Sequence, residues 1–206
     1  MAKLLNGILG PLNGKVGGVV AATWKGINYV RGYVIPANPQ TTDQTTNRTK
    51  FGLIVAKAKQ ILGSILQVYW DPLVSGMSGF NKFVSTNALL MDPDFDYTVM
   101  KVAEGNLEGQ EIDAINYATG TGAIECDWSM NILGNGLSSD IMTCVIFDDD
   151  NDVAYVNAET RNDEQILLTI PTGLTVGNLK GYLFAARGEG AEMEVADSQF
   201  EQVVAA

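Results

Sequence analysis

The chain has 206 residues, enough to bury a hydrophobic core in one large domain or in two small ones. Hydrophobic residues make up 46% of it and charged residues only 18%, so we expect partners to cover part of its surface. The net charge of −11 argues against nonspecific binding of nucleic acid.

The charge is divided unequally along the chain. Residues 1–101 carry ten lysines and arginines against five acidic residues, a net +5. Residues 102–206 carry three against nineteen, a net −16. This asymmetry favours subunits whose surfaces complement one another, or a chain that binds an anionic partner. The alternative is that each half merely has its own charged outer face.

The sequence lacks the histidine-based sites on which much enzyme chemistry depends. Histidine is absent, which excludes Ser-His-Asp and Cys-His nucleophiles and histidine-containing zinc sites. The acidic residues form no recognisable acid/base pair motif. We therefore predict that the protein is not an enzyme, has no cofactor and has no catalytic or metal-binding residues.

The N-terminal segment combines glycine with apolar and basic residues. Residues 3–12 indicate an arm without a signal peptide, and Asn13-Gly14 predicts a type I′ turn. Two β-branched and aromatic runs then predict a strand pair, over 15–23 and 27–35. Glycines weaken a lone strand, so we expect Gly17 and Gly18 to lie where another backbone or a large side chain approaches closely.

Two helices are predicted next. Apolar residues from Phe51 to Leu66 recur at three- and four-residue spacing, which indicates one amphipathic helix of about six turns beginning near Thr41. A second, shorter helix is predicted from Gly79 to Leu90. No apolar run approaches the roughly 20 residues of a membrane-spanning helix, so we expect no membrane span.

From Thr98 onward the hydrophobic pattern has a period of two, which is typical of half-buried antiparallel strands. We expect an α+β fold in which an N-terminal strand pair and long amphipathic helix (residues 1–97) join a C-terminal antiparallel β-sandwich of immunoglobulin or fibronectin type (residues 98–206). Strands are predicted at 124–130, 140–147, 153–157, 165–170, 181–186 and about 192–200.

Two clusters in the C-terminal half could have either a structural role or a chemical one. Cys126 and Cys144 lie in alternating apolar runs, which favours small core residues over a disulfide. Asp148–Asp152 has the oxygen ligands that Ca²⁺ prefers, but it lacks the glycine and the glutamate of an EF-hand loop. A solvated hairpin turn is the better interpretation.

The N-terminal glycines and aromatics admit several functions. Gly14-Lys15 is followed by valine and by a predicted strand, which excludes a phosphate-binding P-loop. The mixture of aromatic and basic side chains around Tyr29 and Arg31, which share one strand face, also suits single-stranded nucleic acid. We favour packing of Trp24 and the tyrosines on the long helix, with Lys25 and Arg31 paired to carboxylates.

The same segment resembles a known but uncharacterised family. The residues are Gly-x-x-Gly-x-x-Asn-Gly-Lys-Val-Gly (7–17), Trp24-Lys-Gly-Ile-x-Tyr-Val-Arg31, Asn38-Pro39, Gln44, Arg48 and Phe51, with Asp197-Ser-Gln-Phe200 near the end. They are similar to a domain of unknown function found in Bacteroidota and their phages, whose members end in an Ig-like half. This resemblance implies a structural role in a particle and implies no activity.

Together these patterns predict a noncatalytic structural protein that assembles with copies of itself, located in a virion or phage-like particle and made in the bacterial cytoplasm. Nucleic acid is an improbable partner, and other particle proteins are further candidates. The alternative is an Ig-like binding module for a glycan or a protein. The predicted assembly interface consists of Gly14, Gly17, Gly18, Trp24, Lys25, Tyr29, Arg31 and Arg48.

Overall fold

The structure is a computed structural model that describes residues 2–3, 13–35, 37–38, 40–91, 95–130, 132 and 134–206. The chain divides into two compact units, Met1–Thr41 and Thr42–Ala206. The arm predicted for residues 3–12 lies outside the described residues, except for Lys3.

The first unit is an antiparallel sheet in the order β1-β4-β3-β2. The predicted strand pair is confirmed as β3 and β4, which pair from Val19↔Gly32 to Trp24↔Ile27. The turn predicted at Asn13-Gly14 is wrong, because Gly14 already pairs with Ala21 at the start of β2. The strands are β1 (Ala2–Lys3), β2 (Gly14–Val16), β3 (Val19–Trp24) and β4 (Ile27–Gly32).

The second unit begins with helices. Helix α1 (Thr42–Gln60) is followed by a π-helix (Leu62–Trp70), a 3₁₀ turn (Asp71–Leu73) and helix α2 (Gly79–Leu90), which has the predicted bounds. The predicted long helix begins where expected, but it does not continue to Leu66 as one helix. The chain bends by 90° after Gln60, where Ile61 leaves helical geometry with φ −107° and ψ 12°, as expected for a kink at a π-helical segment.

The remaining strands form two sheets of a sandwich. One has the order β13-β5-β6-β9, and the other has the order β11-β10-β7-β8 with β12 also paired to β10. The chain changes sheet after β6, β8, β9 and β12, as in immunoglobulin-like sandwiches. The strands are β5 (Ala114–Ala118), β6 (Ala123–Asp127), β7 (Ile141–Asp148), β8 (Val153–Thr160), β9 (Gln165–Thr169), β10 (Leu179–Arg187), β11 (Glu194–Val195), β12 (Gln199–Gln202) and β13 (Val204–Ala205).

Strands β7 and β10 lie at the centre of this unit and are buried on both faces. Alternate side chains such as Cys144 and Leu183 face the other sheet, whereas Phe147 and Phe184 pack with the helices. The second unit therefore has three layers: helices, the β10-containing sheet and the β5-containing sheet. Elements on both sides of residue 97, where the sequence analysis placed a domain boundary, contribute to one hydrophobic cluster.

Candidate functional site

Seven of the eight predicted interface residues lie in the N-terminal sheet or its turns. Gly14 begins β2, Gly17 and Gly18 form the turn to β3, and Trp24 and Lys25 precede β4. Tyr29 and Arg31 belong to β4 itself. The eighth, Arg48, lies on α1 in the second unit.

The strand register places the aromatic and basic residues on one face of the sheet. Residues directly opposite one another in an antiparallel pair point to the same side, and Val20 lies opposite both Lys15 and Arg31. Ala22 lies opposite Tyr29, and Trp24 lies opposite Ile27. We call this side the aromatic-basic face; its larger side chains are Lys15, Trp24, Ile27, Tyr29, Arg31 and Tyr33.

The N-terminal sheet has almost no core of its own. Among its described side chains only Ala21 is buried, whereas Trp24 is 63% exposed and Val16 is 62% exposed. Val34 and Ile35, which follow β4, are 74% and 77% exposed. A sheet normally buries one face against another layer, and large exposed apolar surfaces mark interaction sites. The N-terminal sheet therefore leaves most of its described apolar side chains exposed.

The cations of this sheet lie over aromatic rings. The Lys15 ammonium is 3.5 Å from the centre of the Tyr33 ring, and the Lys25 ammonium is 5.0 Å from the centre of the Trp24 ring, which are cation–π distances. Residues 1–41 contain no acidic residue, so Lys25 and Arg31 have no carboxylate partner within their own unit. The favoured interpretation, in which Trp24 and the tyrosines pack on the long helix and Lys25 and Arg31 pair with carboxylates, requires contacts between the two units and stays a prediction.

Gly17, Gly18 and Gly26 lie in hairpin turns, and no close contact with a described residue explains the glycines of this sheet. Gly17 has φ +57°, and Lys25 and Gly26 have φ +48° and +77°, the backbone of a two-residue type I′ hairpin turn at Lys25-Gly26. A Cβ added at Gly14, Gly17 or Gly18 would meet no described atom within 4 Å. If these positions permit close approach, the approaching group lies outside the described residues.

The two structural units differ in charge almost as much as the two halves of the sequence. Residues 1–41 contain four lysines and arginines and no acidic residue, a net +4. Residues 42–206 contain nine against 24, a net −15. The acidic excess of the second unit comes from residues 102–206, since residues 42–101 carry six lysines and arginines against five acidic residues.

The acidic segment Asp148–Asp152 forms the hairpin turn between β7 and β8. The buried Asp148 carboxylate accepts hydrogen bonds from the backbone N–H groups of Asp150 and Asn151. Asp149 accepts from the Lys57 ammonium and the Tyr97 hydroxyl, each at 2.5 Å. In the part of the chain that the structure describes, no three acidic or cysteine side chains are grouped to hold a metal ion.

Cys126 and Cys144 lie in the core between the two sandwich sheets, and both are fully buried free thiols. The hydrogen bond with Cys126 and the burial of the site raise the pKa of the Cys144 thiol well above its usual range. The thiolate is the reactive form of cysteine, so the raised pKa makes Cys144 unreactive, as expected of a side chain packed in a hydrophobic core.

A buried ionic cluster holds a loop against the sandwich, and no sequence pattern marked it. The fully buried Arg161 guanidinium lies 3.3 Å from the Asp140 carboxylate and donates to the carbonyl oxygens of Glu108 and Gly109. Asp140 also contacts Arg187 at 3.3 Å. These contacts are internal to the second unit, so the cluster fastens the loop before β5 and offers no free charge to a ligand.

Among the described residues, no single helix is both long enough and apolar enough to cross a membrane. Only the bent pair Thr42–Gln60 and Leu62–Leu73 reaches that length and hydropathy when its two parts are taken together.

Comparison with known proteins identifies the family but no activity. The model of a family of unknown function, DUF6266, matches residues 11–201, and the chain belongs to this family. No curated protein and no solved structure matches the chain.

Proposed function

We propose that this member of a family of unknown function is a noncatalytic structural protein that assembles with copies of itself through its N-terminal sheet. We further propose that the assembly is a phage or phage-like particle, a capsid, tail or tube, whose subunits are made in the bacterial cytoplasm. The observation that carries the proposal is the N-terminal sheet, which exposes Trp24 and Val16 and buries only Ala21 among its described side chains.

The first argument is energetic. Burial of apolar surface contributes about 25 cal/mol per Å², and a small sheet needs a hydrophobic face packed on another layer for stability. The N-terminal sheet leaves Trp24, Ile27 and Tyr33 at least 43% exposed. A second molecule that covers these side chains would supply the missing layer.

The second argument is electrostatic. A unit with net charge +4 and no acidic residue is joined to a unit with net charge −15. A basic sheet of one copy and an acidic surface of the next attract one another, whereas like units repel. Such a contact joins two different surfaces, and heterologous contacts of this kind close into rings or continue as filaments. Charge complementarity also steers association and its register.

The particle as a setting rests on the sequence resemblance to a family of Bacteroidota and their phages. Virion proteins function by assembly, which agrees with a basic, apolar sheet and with a sequence that lacks histidine. Electron microscopy of the concentrated protein tests this part directly: we expect rings, tubes or shells, and uniformly dispersed monomers would contradict it.

Sedimentation velocity over a range of concentrations tests self-assembly. We expect the wild-type protein to form oligomers whose size grows with concentration, and the double variant Trp24→Ala/Tyr29→Ala to sediment as a monomer. Leu89→Ala is the matched control, because Leu89 is an 81% exposed apolar residue on α2 in the other unit. A monomeric wild type at every concentration, or equal effects of the variant and the control, would contradict the proposal.

A further inference from the structure

We infer that the outer face of the β13-β5-β6-β9 sheet is the surface that receives the aromatic-basic face of the next copy. The inference rests on the proposed function and adds the identity of the receiving surface. The outer face consists of the outward side chains of β5, β6 and β9, with Glu125 at its centre.

The alternation of side chains defines this face. In β6, Ile124 and Cys126 point into the sandwich core and are fully buried, so Glu125 and Asp127 point outward. In β9, the outward Leu167 is 55% exposed. The sheet is thus the outermost layer of the second unit, with one face in the core and the other open among the described residues.

The outer face is shaped to accept another sheet. Glu125 lies between Asn116 of β5 and Leu167 of β9 in the strand register. Alanines occupy outward positions at 114, 118 and 123. Because these side chains are small, they project only a short distance from the sheet. Two sheets pack face to face at about 10 Å when their side chains interdigitate. Large side chains such as Trp24 and Tyr29 from a facing sheet would fill that space.

The charge of the outer face complements the aromatic-basic face. Strands β5, β6, β9 and β13 contain no lysine or arginine. No hydrogen bond or ion pair from a described residue reaches the Glu125 carboxylate, whereas Asp127 accepts a bond from Gln165 at 2.9 Å. An exposed carboxylate beside an exposed leucine is the counterpart of Arg31 beside Tyr29.

The helical side of the same unit is a poorer receiver because it is basic. Lys50 and Lys59 lie on α1, and Lys82 lies on α2. A sheet with no acidic residue would meet like charges there, and opposed like charges weaken an interface. The β5-containing sheet is the broad face of the second unit that offers acidic side chains without basic ones.

A charge-swap cycle tests the inference on the full-length chain. Arg31→Glu and Glu125→Arg each place like charges at the contact, so we expect each variant to weaken self-association by about tenfold or more. The double variant Arg31→Glu/Glu125→Arg restores opposite charges in reversed order, and we expect its affinity to return to within about threefold of wild type. Circular dichroism and thermal melting verify that these exposed substitutions leave the fold intact.

Glu159→Arg is the matched control, because Glu159 is an exposed glutamate on β8 of the other sheet and carries the same charge change. We expect it to leave self-association unchanged. If Arg31→Glu disrupts assembly while Glu125→Arg does not, or if the double variant fails to recover, the receiving surface lies elsewhere and this inference is overturned while the proposed function stands. If neither single variant changes assembly while Trp24→Ala/Tyr29→Ala does, only this inference is overturned; if Trp24→Ala/Tyr29→Ala also leaves assembly unchanged, both are overturned.

Discussion

The N-terminal sheet and the central strands β7 and β10 are built from similar residue types but differ in burial. Both contain β-branched and aromatic side chains at period-two spacing. Strand β10 is covered on one face by helices and on the other by a second sheet, whereas β3 and β4 contribute one buried side chain, Ala21. The residue pattern thus indicates that a strand forms, while the layers packed around the strand determine whether its side chains are buried or exposed.

The largest expected difference is between one aromatic residue from each region. Phe184 in β10 is 1% exposed and packs edge-on to Tyr69 at 5.0 Å between ring centres. Phe184→Ala therefore leaves a cavity and should lower the free energy of unfolding by about 3–5 kcal/mol. Trp24→Ala, at an exposed site, should change it by less than about 0.5 kcal/mol. Chemical denaturation of dilute, unassembled protein measures both.

The effects of the same two variants on self-association should have the opposite order to their effects on stability. Trp24→Ala should impair self-association, and Phe184→Ala should leave it intact wherever the protein is folded. Equal losses of stability for the two variants would show that Trp24 is packed in a core of the folded protein, contrary to its exposure.

Two tyrosines of the second unit, Tyr97 and Tyr182, should make the folded state less stable at alkaline pH. Burial, then the hydrogen bond to Asp149, raises the pKa of Tyr97 far above its usual range, and burial does the same for Tyr182. The unfolded chain releases these protons near pH 10 and the folded chain keeps them, so the folded state binds more protons above that pH. These two tyrosines should leave stability unchanged below pH 10 and lower it above pH 10, by up to about 1.4 kcal/mol per pH unit for the buried Tyr182 and by less for the half-buried Tyr97.

Denaturation between pH 8 and 11 measures this slope. Tyr97→Phe should remove its share, and Tyr29→Phe in the N-terminal sheet is the control that should leave the slope unchanged. A slope that is the same in Tyr97→Phe and wild type would contradict the assignment of the alkaline loss to the buried network.

The smallest expected effect is in the β3–β4 turn. Lys25 has φ +48° in a type I′ turn with Gly26, a conformation that disfavours most residues by about 1 kcal/mol but suits asparagine. Lys25→Asn should therefore raise the free energy of opening of this hairpin by about 0.5–1 kcal/mol. Hydrogen exchange of the β3 and β4 amides measures the change.

Lys15→Asn is the matched control for that variant, because it removes the same charge from the same sheet outside the turn. It should bring no gain in protection. Equal exchange rates in Lys25→Asn and wild type would show that the turn is not strained.

The sequence predicted the fold where the local pattern and the tertiary structure agree. Helix α2 has its predicted bounds because Ser78 caps its first turn and the apolar spacing is regular. The 90° bend after Gln60 was not predicted, since the apolar spacing continues through it; Ile61, Ile65 and Leu66 are all fully buried after the bend. The bend follows from packing on the sheet, which no local pattern encodes.

The candidate site was predicted in its composition but not in its geometry. Period-two spacing placed Tyr29 and Arg31 on one face, as the register confirms. Ile27 and Lys15 were missed: centring a hairpin on Lys25-Gly26 would have revealed Ile27, whereas Lys15 reaches this face only through the second turn at Gly17-Gly18. The single-strand interpretation of residues 15–23 hid the Gly17-Gly18 turn, because two glycines within a β-branched run fit both a weak strand and a hairpin turn.

We propose that a second copy covers the N-terminal sheet, and the fluorescence of Trp24 in that sheet can report whether it is covered. Of its three tryptophans, Trp70 and Trp128 are 4% and 1% exposed, and Trp24 is 63% exposed. Acrylamide quenching of tryptophan fluorescence therefore reads Trp24, with Trp24→Phe as the variant that lacks the signal. The account predicts that the quenchable fraction falls as protein concentration rises and returns on dilution. A quenchable fraction that stays constant across that range would contradict it.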